Sequence, residues 1–448
     1  MGLPMRSTSP NEQSSNTKGM FASLSFRDFR LLWFGNLAAT FAMQMQIVAR
    51  GWLIYDMTSS PMALTWVMLS FMLPSILFSL AGGVIADRLR KRSIMVVSGI
   101  LNTIATVALA VIVYMGDITF WHFIYFGVFN GTVLALSMPA RAAITPEIVG
   151  KDHVVNAMAL QSATFNLSRI VGPALAGGLI ALVASGNTGS TQGVGIVLFT
   201  VSGLYAVSVT TIAWLRYKGD PQPSESNPIE QVKEGFQFMR EERIVLGLMV
   251  MGFVPMTFGF AVMFLLPAFN ADVIGGGADT LGILMTGSGI GALAGSLVLA
   301  KLGDIGQKGR VMFYAGYLWA IFIAGFALSE TLVAAFAFGL ATGLFGALMG
   351  SLNMSVVQIA LPDHIRGRVM AIMMMAHGFM PIGIIPISVV AENVGIDIAL
   401  LLAAFLLAAS LFLLRVWIPE LATIDRGHDE DEDDDLLAPQ TAKQSEAI

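Results

Sequence analysis

Cysteine is absent from all 448 residues, which excludes disulfides, thiolate metal sites and a thiol nucleophile and leaves the redox compartment unread. Charge is scarce as well. Asp, Glu, Lys and Arg make up 12% of the chain against 55% hydrophobic residues, and the mean hydropathy is +0.73; a soluble protein of this size carries about twice that share of charge. Enzyme signatures are also lacking. The five histidines (His122, His153, His364, His377, His428) have no metal-ligand spacing, no G-x-S-x-G surrounds Ser288, and no glycine-rich loop ends in Lys-Ser or Lys-Thr. The chain is therefore expected to be a membrane protein that is not an enzyme, holds no metal or cofactor and does not use ATP. The first ~25 residues are polar, with no cleavable apolar core, so the first apolar stretch is expected to direct insertion.

Basic residues are missing from every second connection between the apolar stretches. All but two of the 25 Lys and Arg fall in the N-terminal arm, in alternate connections after it, or at the C-terminal end. The intervening connections carry only acid: Asp56, Asp117, Asp272, Asp279, Glu330 and, near their edges, Glu392 and Asp397. Lys and Arg close to span ends set orientation, so both termini are expected in the cytoplasm and the number of spans is expected to be even. The net charge of −5 comes from an acidic tail around residues 429–435, a composition that reads as a solvated segment and not as a nucleic-acid surface.

A bilayer needs about 17 to 25 predominantly apolar residues per helix. That criterion gives twelve all-helical spans, near 31–54, 62–86, 93–115, 119–140, 157–184, 194–215, 244–270, 280–300, 311–329, 331–357, 368–391 and 396–418. The domain reading is an N-terminal arm (1–25), a six-helix half (26–215), a linker (216–242) that is Pro- and Ser-rich at 220–228 and then amphipathic, a second six-helix half (243–420) and an acidic tail (421–448). The halves repeat each other: Gly83-Val-Ile-Ala-Asp87-Arg88 is answered by Gly303-Asp304 with Lys308 and Arg310, and Thr145-Pro146-Glu147 by Leu361-Pro362-Asp363. Duplicated halves of this kind rock about a site near mid-membrane.

Residues 83–95 resemble the loop signature of the major facilitator superfamily, G-x-L-a-D-r-x-G-r-k-x-x-l. Gly83, Asp87, Arg88, Lys91 and Arg92 match, while Arg90 occupies the second glycine position. With Asp304 and Arg310 in the second half these residues are candidates for a charge latch that holds the cytoplasmic faces together; obedience to the positive-inside rule is the plainer alternative. In the fifth span Ser168, Gly172 and Ala176 are four apart and share one face, and Pro173 removes a backbone hydrogen bond. Gly172, Pro173 and Gly177 thus form a candidate gate helix, similar to the Gly-Pro signature of the superfamily's exporters. The segments around Arg50, Arg141 and Arg169 resemble the branch that contains the enterobactin exporter and macrolide efflux pumps. That resemblance implies proton-driven export from the bacterial cytoplasm across the inner membrane, although Gly127 stands where the span-four antiporter signature has Arg.

Two basic residues lie inside spans. Arg169, ~20 Å of rise into its helix, is near the midplane, where a charge costs at least ~2.5 kcal/mol and needs a partner or a wet cavity. No span offers a carboxylate at that depth, so Arg169 is either tied to neighbouring amides and carbonyls or available to an anionic ligand. Arg50 is expected to pair with Asp56 or the interface, with a ligand role as the alternative. Asn36, Gln44, Asn130, Gln161, Asn166, Asn353, Gln358 and His377 complete the candidate cavity lining, each equally able to act as helix glue. Candidate proton carriers are Asp28, Asp56, Glu392 and His377, whose imidazole titrates near neutrality.

The reading is a monomeric secondary exporter of a small amphipathic molecule, siderophore-like or drug-like and, where Arg169 serves a ligand, anionic, with protons as the coupling ion and lipid as its other partner. An importer or lipid flippase of the same fold, or a non-transporting receptor or assembly factor with a solid interface between its halves, are the alternatives.

Overall fold

The computed structural model describes residues 21–183, 191–221, 228–303, 306–377 and 380–424. Within them every regular element is helical. In chain order these are α1 (Arg27–Thr58), α2 (Pro61–Leu77), α3 (Ser79–Arg88), α4 (Lys91–Met115), α5 (Phe120–Val149), α6 (Val154–Val183), α7 (Thr191–Ala213), α8 (Pro228–Glu241), α9 (Arg243–Gly259), α10 (Ala261–Asp272), α11 (Ala278–Leu302), α12 (Lys308–Ala327), α13 (Leu332–Ala360), α14 (Asp363–His377), α15 (Met380–Asn393) and α16 (Ile396–Trp417).

Ten stretches are long and apolar enough to cross a bilayer, and eleven when α2 and α3, bent by 54° at their junction, count as one span. Pro74 lies in the last turn of α2 and removes a backbone donor beside that bend. The remaining expected span, 368–391, is divided between α14 and α15 around residues 378 and 379, which lie outside the described residues. Arg141, assigned above to a connection, is instead within α5, which continues to Val149 with Pro139 and Pro146 inside it. Pro139 and Pro146 each remove one backbone hydrogen bond from that helix without ending it.

Local sequence explains the tight turn between α1 and α2. Ser59 takes a left-handed conformation (φ 47°) that stops α1, the Ser60 hydroxyl accepts from the Ala63 N–H at 3.1 Å, and Pro61, which has no N–H to satisfy, opens α2. In lipid the hydrophobic effect does not pull helices together, so close packing of small residues must. Gly287, Gly291 and Gly295 on α11 lie against Phe336, Leu340 and Leu344 of α13, and Gly343 of α13 against Ser288. A Cβ at Gly291 would collide with the Leu340 carbonyl. Helix α8 lies along α14: Gly235 abuts Arg368 and Ile372, Glu234 pairs with Arg368, and Met239 is buried.

Candidate functional site: a polar cavity between the N-terminal and C-terminal helices

Helices α1–α7 meet helices α9–α16 mainly where α6 faces α11 and where α2 faces α15. Along the first seam the backbones nearly touch. A Cβ on Gly177 would be 2.5 Å from the Ala278 carbonyl oxygen, one on Gly282 2.7 Å from that of Pro173, and one on Gly289 3.0 Å from that of Arg169; the Thr286 hydroxyl donates to the Ile170 carbonyl at 3.0 Å. Polar contacts close the same end of the molecule. The Tyr55 hydroxyl donates to Asp272 at 2.5 Å, the Ser60 hydroxyl and the Met62 N–H donate to Glu392 at 2.8 and 3.2 Å, and Thr65 and Ser388 share a hydrogen bond of 2.6 Å. Among the described residues, no hydrogen bond joins the two sets of helices at the opposite end, where α3, α7 and α11 finish.

At the level of Arg169 the two sets of helices leave a cavity of about 280 Å³ between them. Asn166, Arg169 and Pro173 face it at i, i+3 and i+7 on α6, one face of the helix. Gln44 joins them because Gly172, lacking a side chain, lets α1 come so close that a Cβ there would be 2.7 Å from the Gln44 Cβ. The C-terminal helices contribute Phe260, Trp319, Ser288, Ser296 and Thr342, with Met256, Met263 and Met285 as pliable apolar wall. Among the described residues, Arg169 is the one ionisable residue in that lining. Among the described residues its guanidinium has no hydrogen-bond or ion-pair partner. The cavity can hold an amphipathic molecule, with a cation for an acidic group and aromatic and thioether walls for the rest.

Other candidates are not in this cavity. Gln161 donates to the Thr145 hydroxyl at 2.8 Å and Asn130 donates to Asn102. Asn353 is buried beside Gly252 with its Oδ1 unpartnered, Asn36 is half-buried on α1, and Gln358 is exposed near the end of α13. Arg50 forms no pair with Asp56: its guanidinium lies over the Phe126 ring, 4.8 Å from the centroid, because it turns inward to an aromatic face while Asp56 faces solvent. Asp304 and the side chain of His377 lie outside the described residues. Of the other carboxylates, Asp28 accepts from the backbone N–H groups of Arg216 and Tyr217 at 3.1 and 2.7 Å and clamps the end of α7, and Asp56 is exposed, which leaves Glu392 at the seam.

The loop residues that bond do so within their own set of helices. Asp87 and Arg88 are exposed at the end of α3, Arg92 donates to the Ala213 carbonyl, and Arg310 donates to Gln307 at 3.0 Å. Lys91 is buried and pairs with Glu147 at 2.8 Å, while the Tyr217 hydroxyl donates to Glu147 at 3.1 Å. Burial and the Glu147 carboxylate push the Tyr217 phenol up, so it remains a neutral donor. Because the Glu147 side chain is 22% exposed, Lys91→Met is expected to destabilise the protein by roughly 2 kcal/mol, short of the cost of a fully buried unpaired charge. Thermal melting in detergent checks this; a melting temperature equal to wild type would mean that the pair contributes nothing.

Sequence reasoning missed the cross-seam pairs Tyr55–Asp272 and Ser60–Glu392. Each partner reads as an ordinary residue at a helix end, and only their position opposite one another marks them. Trp319 and Phe260 were equally hidden, since nothing in an apolar stretch tells a cavity-facing aromatic from a packed one.

A bundle of apolar helices with a polar cavity between its first and second sets defines a polytopic membrane transporter. The family described as transmembrane secretion effector, within the major facilitator superfamily, matches residues 18–447, and the chain belongs to it. It is 25% identical to the staphyloferrin A transporter of Staphylococcus aureus over 69% of this chain and 76% of that protein. To the enterobactin exporter EntS of Shigella boydii it is 24% identical, over 65% of this chain and 67% of that one. Among solved structures, a bacterial homologue of the human lysosomal transporter Spinster, in an inward-facing, unoccupied conformation, superposes with a TM-score of 0.67 at 15% identity, covering 88% of this chain and 98% of that one.

Proposed function

We propose that the protein exports a small amphipathic anion from the bacterial cytoplasm across the inner membrane by alternating access, coupled to protons. The observation that carries the reading is a cavity between the halves in which Arg169 is the one ionisable group among the described residues. A charge is costly at that depth unless something answers it, and no carboxylate among the described lining residues does. An acidic group on the cargo answers it, and Trp319, Phe260 and the methionines suit the rest of such a molecule. Siderophores fit this description, and the names of two relatives point the same way.

With the basic connections in the cytoplasm, the seam closed by Tyr55, Asp272, Ser60 and Glu392 faces outward and the cavity is open to the cytoplasm, the state that receives cargo for export. Reversal requires the α6–α11 and α2–α15 contacts to part while the loops around Asp87 and Asp304 close. The proton carrier in this scheme is Glu392, the titratable candidate at the moving seam, since the described residues of the cavity lining include no carboxylate. Inverted membrane vesicles energised with an acid interior and supplied externally with catecholate or polycarboxylate siderophores in turn test the proposal. Uptake into the vesicles accompanied by alkalinisation of their lumen is the expected result. Flux in the reverse sense would make the protein an importer, and cargo movement indifferent to the pH gradient would remove the protons.

A further inference from the structure

An open pocket of about 390 Å³ lies where α1, α2 and α5 meet α15. Among the described residues it shares no lining residue with the Arg169 cavity. The first set of helices gives it two aromatic rings, Trp66 on α2 and Phe120 at the start of α5. Helix α15 gives it Glu392 and Asn393, which lie with Val389 at i, i+3 and i+4 on one face. Trp66 is 51% exposed, so half of its surface is left for a ligand. Glu392 is held across the seam through one oxygen: Oε2 accepts from the Ser60 hydroxyl and the Met62 N–H at 2.8 and 3.2 Å. Among the described residues Oε1 accepts nothing, and neither does Oδ1 of Asn393, whose Nδ2 donates to the Val389 carbonyl at 2.8 Å. The pocket thus presents unused acceptors, one of them charged, beside two ring faces.

Its surroundings carry the same sign. The three connections that meet here, 56–60, 116–119 and 392–397, contain Asp56, Asp117, Glu392 and Asp397 and no Lys or Arg. Unbalanced acid raises the local concentration of cations. A carboxylate oxygen accepts from an ammonium N–H, and an aromatic face attracts the same charge. A hard metal ion fits less well, since it needs several oxygens in one shell, whereas most of this wall is apolar: Met62, Ala63 and Val389 join the rings. An ammonium carrying an organic group answers the carboxylate and the apolar wall together.

Both sets of helices build the pocket, so it exists while α2 and α15 touch. When that contact parts, Glu392 and Asn393 leave Trp66 and Phe120 behind. A ligand that binds one conformation and not the other draws the protein toward the one it binds. We propose that Trp66, Phe120, Glu392 and Asn393 form a site for a small soluble organic ammonium ion, and that its occupation holds the seam shut. The site depends neither on what the Arg169 cavity carries nor on whether Glu392 carries the proton.

The chain has no cysteine, so Ala278→Cys, fully buried where α11 meets α6, is a single reporter of seam opening outside the pocket. The full-length protein in dodecyl maltoside, an uncharged detergent, is titrated with phenethylammonium. Labelling by an anionic, membrane-impermeant methanethiosulfonate is read as the ratio of rates with and without the amine, which removes any loosening that a variant causes by itself. Saturable slowing of at least threefold is expected, with no slowing by the neutral analogue 2-phenylethanol. The midpoint should rise at least fivefold in Glu392→Gln and at least threefold in Trp66→Ala. Labelling indifferent to phenethylammonium overturns the proposal, as does an equal response to 2-phenylethanol. Should Glu392→Gln not fold, an unshifted midpoint in Trp66→Ala has the same force. Slowing that persists in nanodiscs of phosphatidylethanolamine supports a soluble occupant; its loss there would give the pocket to a lipid headgroup and overturn the soluble one.

Discussion

Arg169→Gln is expected to weaken binding of an anionic cargo by about 30- to 1,000-fold, the range for losing a desolvated charged contact of about 2–4 kcal/mol. The same substitution is expected to leave the melting temperature unchanged or raise it, because a guanidinium without a partner at mid-membrane costs at least ~2.5 kcal/mol that glutamine does not. Function and stability should therefore move in opposite directions. A residue serving as helix glue behaves otherwise, since its loss lowers the melting temperature together with transport. Scintillation proximity binding of a labelled siderophore, measured beside a melting curve, reads both. Undiminished affinity, or a melting temperature several degrees lower, would assign Arg169 to structure.

Gly177→Val and Gly178→Val should differ sharply although the positions are adjacent. At Gly177 a Cβ meets the Ala278 carbonyl oxygen at 2.5 Å and the Asp279 Cα at 3.1 Å, across the seam between the two sets of helices; at Gly178 it meets nothing within 4 Å. Backbone cannot give way as a side chain can, so valine at 177 forces α6 and α11 apart. Overpacking costs about 1–3 kcal/mol, and because the strain exists only while the seam is shut, it shifts the balance between seam-closed and seam-open states by about 5- to 150-fold. Labelling of a cysteine placed at Ser60 by a membrane-impermeant maleimide should quicken in Gly177→Val and not in Gly178→Val. Equal labelling in the two variants would show that this contact does not set the resting state.

Fold class was legible because membrane insertion depends on properties local to each segment. An apolar stretch of sufficient length must satisfy its backbone within itself, which makes it a helix; the four-residue spacing of Ser168, Gly172 and Ala176 marked a face where another helix could approach closely. The cavity was legible in part. Asn166 and Arg169 stood out because a polar group in an apolar helix demands an explanation, and Gln44 stood out for the same reason. Gln161 and Asn130 carried the same signal and proved to bond to Thr145 and Asn102. Composition cannot separate these outcomes, since they depend on whether a complementary group stands opposite on another helix.

What the sequence by itself determined is therefore the class of protein, the helical spans and the presence of an arginine without an acid at matching depth, all consequences of the local cost of placing polar groups in lipid. Which faces meet was decided by the tertiary structure alone. The Tyr55–Asp272 and Ser60–Glu392 contacts join residues 217 and 332 positions apart, and the cavity brings Trp319 together with Gln44 and Arg169. Such pairings follow from how small residues let particular helices come close, a property of matched surfaces that no single segment contains.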